Sequence, residues 1–138
     1  MSDAESFFDT NVLLYLLSAD ADKADRVEGL LERSGVISVQ VLNEFTSVAT
    51  RKLGLSYAEV RELLDTVRAV CTTHPLTLEH YDKGIEIAER YRYSFYDSVI
   101  VASALLAGCK TLYSEDLQHR QTIDNRLTVI NPFAKTRG

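Results

Sequence analysis

"SFYDSVIVASALLAG", residues 94–108, decides how this chain folds. It reads as a helix with almost no polar side. Phe95, Tyr96, Val99, Ile100, Val101, Ala102, Ala104, Leu105, Leu106 and Ala107 leave no solvated stripe, and a helix apolar all round is a buried one. Yet Asp97 stands near its head, and Ser94-x-x-Asp97 matches a capping box. A capping carboxylate is normally wet, whereas this one precedes a helix with no wet side. An ionised carboxylate drawn out of water needs a cation, hydrogen bonds or a raised pKa. No lysine or arginine stands within the helix to serve it.

Outward from that helix, strands and helices alternate. "ESFFDT" (5–10) is a strand ending at Asp9. "NVLLYLLSAD" (11–20) starts a helix, and "DKADRVEGLLERSG" (22–35) gives a second, ended by Gly35. "VISV" (36–39) is a β-branched strand. "VLNEFTSVATRKLG" (41–54) is a helix closed by Gly54, with apolar Val41, Leu42, Phe45, Val48, Ala49 and Leu53. "SYAE" (56–59) is a capping box opening a helix to about Val70. "CTTHP" (71–75) is extended, and "TLEHYDKGIEIAERY" (77–91) is a helix with Thr77 as N-cap. "KTLYS" (110–114) and "RLTVI" (126–130) are strands. This order predicts an α/β fold. We expect a single-domain three-layer sandwich over residues 1–138, its short central parallel sheet flanked by helices on both faces. In such sheets ligands bind beyond the carboxyl ends of the strands.

Four acids fall at those ends. Asp9 closes the first strand, Asp116 follows the strand "TLY", and Asp97 lies in the first turn of the apolar helix. Glu44 lies in the helix after "VISV". At about 100° per residue the apolar arc of that helix runs from Val48 round to Leu53, and Glu44 sits just outside it. Each acid has a plainer use: Asp9 and Asp97 as caps, Glu44 as a solvated edge residue, Glu115 and Asp116 as turn acids. A shared cation would serve all four at once, and oxygen-only ligands favour a hard ion, Mg²⁺ or Mn²⁺, over zinc.

Composition limits the alternatives. The chain has 138 residues, 46% of them hydrophobic and 25% charged, which fits one ordinary globular domain. Its net charge of −5 argues against a passive electrostatic nucleic-acid binder. It leaves open an enzyme with an acidic metal site, with Arg51/Lys52, Arg90/Arg92, Arg120 with Arg126, or Lys135/Arg137 meeting phosphates. No apolar run approaches a membrane span and the N-terminus has no basic leader, so a cytoplasmic protein is expected. Cys71 and Cys109 lack metal-type spacing and read as reduced thiols near core elements. His74, His80 and His119 are scattered and read as structural or surface residues, with His119 a weaker candidate for a phosphate contact. Tyr91, Tyr93, Phe95 and Tyr96 read as core packing, with base stacking as the other use.

Taken in order, "FFDTNVLLYLL", "VLNEF", "SFYDSVIVASAL" and "LYSEDLQ" resemble the PIN-domain ribonucleases, most closely the VapC-type toxins of toxin–antitoxin pairs. The resemblance covers roughly residues 5–133. It implies a PIN-like parallel sheet and an Mg²⁺- or Mn²⁺-dependent endoribonuclease that hydrolyses RNA phosphodiester bonds. It makes Asp9, Glu44, Asp97 and Asp116 the metal-binding, catalytic carboxylates. Thr10, Asn11 and Ser114 become the polar groups that orient them or a water, and Glu115 an outer ligand or plain rim. It further implies a cognate antitoxin and a homodimer.

Two rivals are set against it. An aspartyl-phosphate enzyme also places an Asp after its first strand, but wants a second Asp where Asn11 stands and a lysine after a late strand. "LYSEDL" has none. A non-catalytic nucleic-acid or protein-binding module on the same fold has no reason to keep buried acids.

Overall fold

The computed structural model describes residues 5–134. Six strands form one sheet in the order β3-β2-β1-β4-β6-β5. They are β1 (Ser6–Phe8), β2 (Gly35–Ser38), β3 (Thr72–His74), β4 (Thr111–Tyr113), β5 (Thr122–Ile123) and β6 (Leu127–Ile130). Every pairing is parallel except β5 with β6. The helices are α1 (Thr10–Leu13, continued by a 3-10 turn over Leu14–Leu17), α2 (Ala21–Ser34), α3 (Val39–Arg51), α4 (Tyr57–Val70), α5 (Leu78–Tyr91) and α6 (Phe95–Leu106).

Phe7 and Phe8 are neighbours in β1, point to opposite faces, and are both fully buried. Val36 and Ile37 of β2 repeat this. Strands buried on both faces require helices on both faces, as in all-parallel sheets. The expected sandwich is therefore the observed one. From β1 the chain steps outward through β2 and β3, then returns to lay β4 on the other side of β1. The β1–β4 junction is thus a topological switch point, where α/β sheets open a crevice at the strand ends. Asp9 follows β1 there, its backbone N–H bonding Tyr113 O at 3.0 Å.

Several expectations need correction. The second strand begins at Gly35 and ends at Ser38, because Ser38 is already the N-cap of α3 and Val39 its first residue. Leu53 lies past the end of α3 and is exposed; the buried stripe is Gln40, Val41, Phe45 and Ala49. Helix α6 is buried only from Ser98 to Leu105, while Phe95, Tyr96 and Leu106 face water. Asp97 therefore stands at the rim of the core and not inside it. Strand β5 was not expected; two residues carry too little periodicity to be read. It turns into β6 through Asp124 and Asn125, both at positive φ (52° and 56°), as tight hairpins demand.

The capping box at Ser56 and Glu59 forms as expected. Gly84 lets α5 and α6 approach closely, since a Cβ there would fall 2.8 Å from Val99 Cγ2. Cys71 and Cys109 are free and buried, and burial pushes their thiols up to about 11 and about 12. Among the described residues no helix is long and apolar enough to cross a membrane.

Candidate active site

Among the described residues Asp9 is the buried acid, 5% exposed. It caps α1: its carbonyl accepts the N–H groups of Val12 and Leu13, both at 3.2 Å. Its Oδ1 accepts the Thr10 N–H at 2.7 Å, and its Oδ2 accepts the hydroxyl of fully buried Ser114 at 2.8 Å. Burial nevertheless dominates and raises the carboxyl to about 7 against these bonds, with the charges of Asp116 and Asp97 adding to the rise. The sequence made Asp97 the costly carboxylate; the structure gives that place to Asp9. The signal was the pair Phe7-Phe8, which carries β1 through the core and delivers Asp9 at its end.

Asp97 enters from the first turn of α6, where its N–H donates to the Ser94 hydroxyl at 3.2 Å. Its carboxyl is raised by burial first, partly offset by Ser94, then raised further by Asp116 and Glu44. Asp116 comes from the loop after β4 and is exposed; its N–H donates to Ser114 Oγ at 3.2 Å. One carboxylate oxygen from each of Asp9, Asp97 and Asp116 lies within 4.8 Å of the other two. Opposite oxygens around an octahedral Mg²⁺ are about 4.2 Å apart, so this spread fits one hard cation after slight closure.

Glu44 stands apart from this triad. Thr10 donates its hydroxyl to Glu44 Oε1 at 2.7 Å and holds it on the wall of the same cavity. That cavity, about 330 Å³, is lined by all four acids together with Thr10, Asn11 and Arg51. Asn11 accepts the Glu115 N–H at 3.4 Å, while its own Nδ2 is buried without a partner. Glu115 points elsewhere, to the Tyr15 hydroxyl, whose pKa it helps burial to raise. Among the described residues, salt bridges join Lys83 and Arg90 to Glu86 and Asp124, and none reaches the four acids.

The basic candidates separate. Arg51 lies on the cavity wall. Arg90 is committed to Asp124 at 2.7 Å. Arg120 and Arg126 are exposed and do not line the cavity; Lys135 and Arg137 lie outside the described residues. His119 Nδ1 accepts the Asn131 N–H at 3.0 Å, and His80 is buried, which pushes its pKa down. Tyr91 and Tyr93 stack on each other at 5.8 Å and pack against the core as expected, but Phe95 and Tyr96 do not.

The fold has close counterparts. A toxin–antitoxin complex from Klebsiella pneumoniae superposes with a TM-score of 0.68 at 19% identity, over 94% of this chain and 98% of that one. The Mycobacterium tuberculosis toxin VapC20, which cleaves the sarcin–ricin loop, gives 0.64 at 21% identity, over 81% and 90%. VapBC2 from Rickettsia felis, bound to a fragment of its promoter DNA, gives 0.65 at 18%, over 90% and 96%. No curated protein sequence matches. A family model for the PIN domain matches residues 6–124, which span β1 to the β5–β6 turn and every acid above. This chain belongs to the PIN domain family.

Proposed function

We propose that the protein is a divalent-metal-dependent endoribonuclease and the toxin of a toxin–antitoxin pair. The observation that carries this is the convergence of Asp9, Asp97 and Asp116 within 4.8 Å at the switch point of the sheet. Asp9 supplies a charge that the core disfavours, and no cationic side chain pairs with it among the described residues. A hard cation held by these three oxygens answers that cost. When bound, Mg²⁺ or Mn²⁺ supplies charge against the phosphodiester's developing negative charge and acidifies a water.

The chain's own residues do the rest. Ser114 fixes the direction of Asp9 and the loop that carries Asp116. Thr10 occupies Glu44 Oε1, and Oε2, which accepts only a long bond from Gln40 Nε2 at 3.5 Å, is the atom we assign to take the proton of the attacking water. Asn11 Oδ1 accepts the Glu115 N–H and steadies the loop that carries Asp116. Arg51, on the rim, anchors a neighbouring phosphate.

An anionic, partly desolvated cavity also attracts cationic side chains. With toxin–antitoxin complexes among the solved relatives, this supports an antitoxin that inhibits by placing an arginine or lysine among the acids. A second copy is the other partner: Leu78 and Ile85 leave exposed apolar surface on α5. The reading places the protein in the cytoplasm. Incubation of single-stranded RNA with nuclease-cleared protein tests the proposal. Cleavage in Mg²⁺ or Mn²⁺ that EDTA abolishes is expected; equal cleavage in EDTA would contradict it.

A further inference from the structure

A second cavity, also of about 330 Å³, opens between α3 and the first turns of α5 and α6. It is separate from the acid cavity but shares Glu44 as a wall. Its sides are aromatic. Phe95 sits edge-on to Tyr81 at 5.6 Å and to Tyr96 at 5.7 Å, and Tyr96 is 68% exposed. Phe95 and Tyr96 immediately precede Asp97 in the chain.

Its polar lining is unusual for an apolar hollow. Gln40 is only 6% exposed; its Nε2 donates to Tyr96 O at 3.1 Å, while its Oε1 is buried without a partner. His80 accepts the Thr77 N–H on Nδ1 at 3.2 Å, which leaves the proton on Nε2 as a donor. Asn43 adds an amide.

We propose that this cavity is a base subsite, taking one unstacked nucleobase of the RNA next to the phosphate held at the acids. The proposal rests on the reading that the acid cavity receives an RNA phosphodiester. Aromatic faces beside amide and imidazole groups fit a flat ring with donors and acceptors on its edge. The His80 Nε2–H and the Asn43 amide on the cavity wall offer a base edge partners that an apolar side chain would leave unused. The shared wall at Glu44 sets the two cavities next to each other, as a phosphate and its neighbouring base are set in RNA. Tyr96 is the stacking platform, Asn43 and His80 stand beside the base edge, and Gln40 ties the platform to Glu44 through Tyr96 O and Glu44 Oε2.

The test uses full-length protein carrying Asp116→Asn, kept in EDTA, and short RNAs with 2-aminopurine at successive positions. Stacking quenches this base. Quenching at one position, lost in Tyr96→Ala and kept in Tyr96→Phe, is expected, with affinity falling roughly 5- to 150-fold in the alanine variant. Absence of position-specific quenching, or quenching unchanged in Tyr96→Ala, overturns the proposal. Sedimentation of the same samples must be unchanged. If Tyr96→Ala turns a dimer into a monomer, the face is a self-association surface and the proposal fails. Wild-type protein with Mg²⁺ reports the other reading separately: quenching without cleavage would leave the base subsite standing and remove the ribonuclease.

Discussion

Ser114 and Asp9, 105 residues apart in the chain, are joined by a 2.8 Å hydrogen bond in which the buried hydroxyl donates to the buried carboxylate. The same hydroxyl oxygen accepts the Asp116 N–H, so one side chain ties two of the three clustered acids together. Ser114→Ala should leave Asp9 Oδ2 without its donor and free the Asp116 loop. A drop in cleavage of roughly 10- to 100-fold is expected, typical of lost partners behind metal ligands. Loss of the buried bond should cost about 1–3 kcal/mol. Steady-state cleavage and urea melts of the variant check both; an unchanged rate would remove Ser114 from the orienting role.

Asp9 also sets a pH dependence of metal-free stability. Its pKa is raised by burial from 3.8 to about 7, so the folded chain holds a proton there that the unfolded chain releases near pH 4. The stability linked to that proton is fully present below pH 4 and is lost as pH rises through 7, by an amount on the order of a few kcal/mol. In EDTA, this group makes unfolding easier at pH 7.5 than at pH 5. Asp9→Asn should flatten the slope. Its amide oxygen can still accept the Thr10 N–H and its NH₂ can donate to Ser114 Oγ. Chemical melts at several pH values decide, and an identical slope in the variant would mean that Asp9 does not titrate in this range.

Metal should reverse the same cost. Mg²⁺ binding to the folded site and hardly to the unfolded chain would stabilise by about 2.7 kcal/mol at a hundredfold excess over its dissociation constant. Asp9→Asn and Asp116→Asn are expected to melt at or above wild type in EDTA and to gain less from Mg²⁺. Four melting curves per variant suffice. Asn variants that melt clearly lower in EDTA, with a wild type indifferent to metal, would make the acids plain caps and hydrogen-bond acceptors.

Glu44 should behave differently from the triad. It is held by Thr10 on the cavity wall, outside the three-oxygen cluster. Glu44→Gln is expected to lose at least a hundredfold in cleavage, a typical share for a general base, while keeping most of the thermal gain from Mg²⁺. Loss of both together would make it a metal ligand.

Much of this was legible in the residues. The alternation of β-branched runs and helices, and acids at three of the strand and helix junctions, led to the sheet and to the group of four. What sequence could not supply was depth. A helix such as α6 looks wholly buried because Phe95 and Tyr96 are apolar, yet its first turn borders a cavity and stays wet. Asp9 looks like an ordinary cap, yet both of its sequence neighbours are buried. Glu44 lies outside the three-oxygen cluster and is bonded by the Thr10 hydroxyl, and no spacing rule encodes either. The cavity beside Gln40 joins α3 to the later α5–α6 pair and leaves no local pattern.

The proposed catalysis rests on Asp9, Asp97 and Asp116 holding a divalent ion. Calorimetric titration of Mn²⁺ into wild type, Asp9→Asn and Asp97→Asn, followed by cleavage of one RNA by the same samples, tests it most directly. Saturable binding by wild type that weakens at least tenfold in each variant, with cleavage lost in parallel, is expected. Either variant cleaving within a few-fold of wild type, or wild type cleaving without binding Mn²⁺ or Mg²⁺, would contradict it.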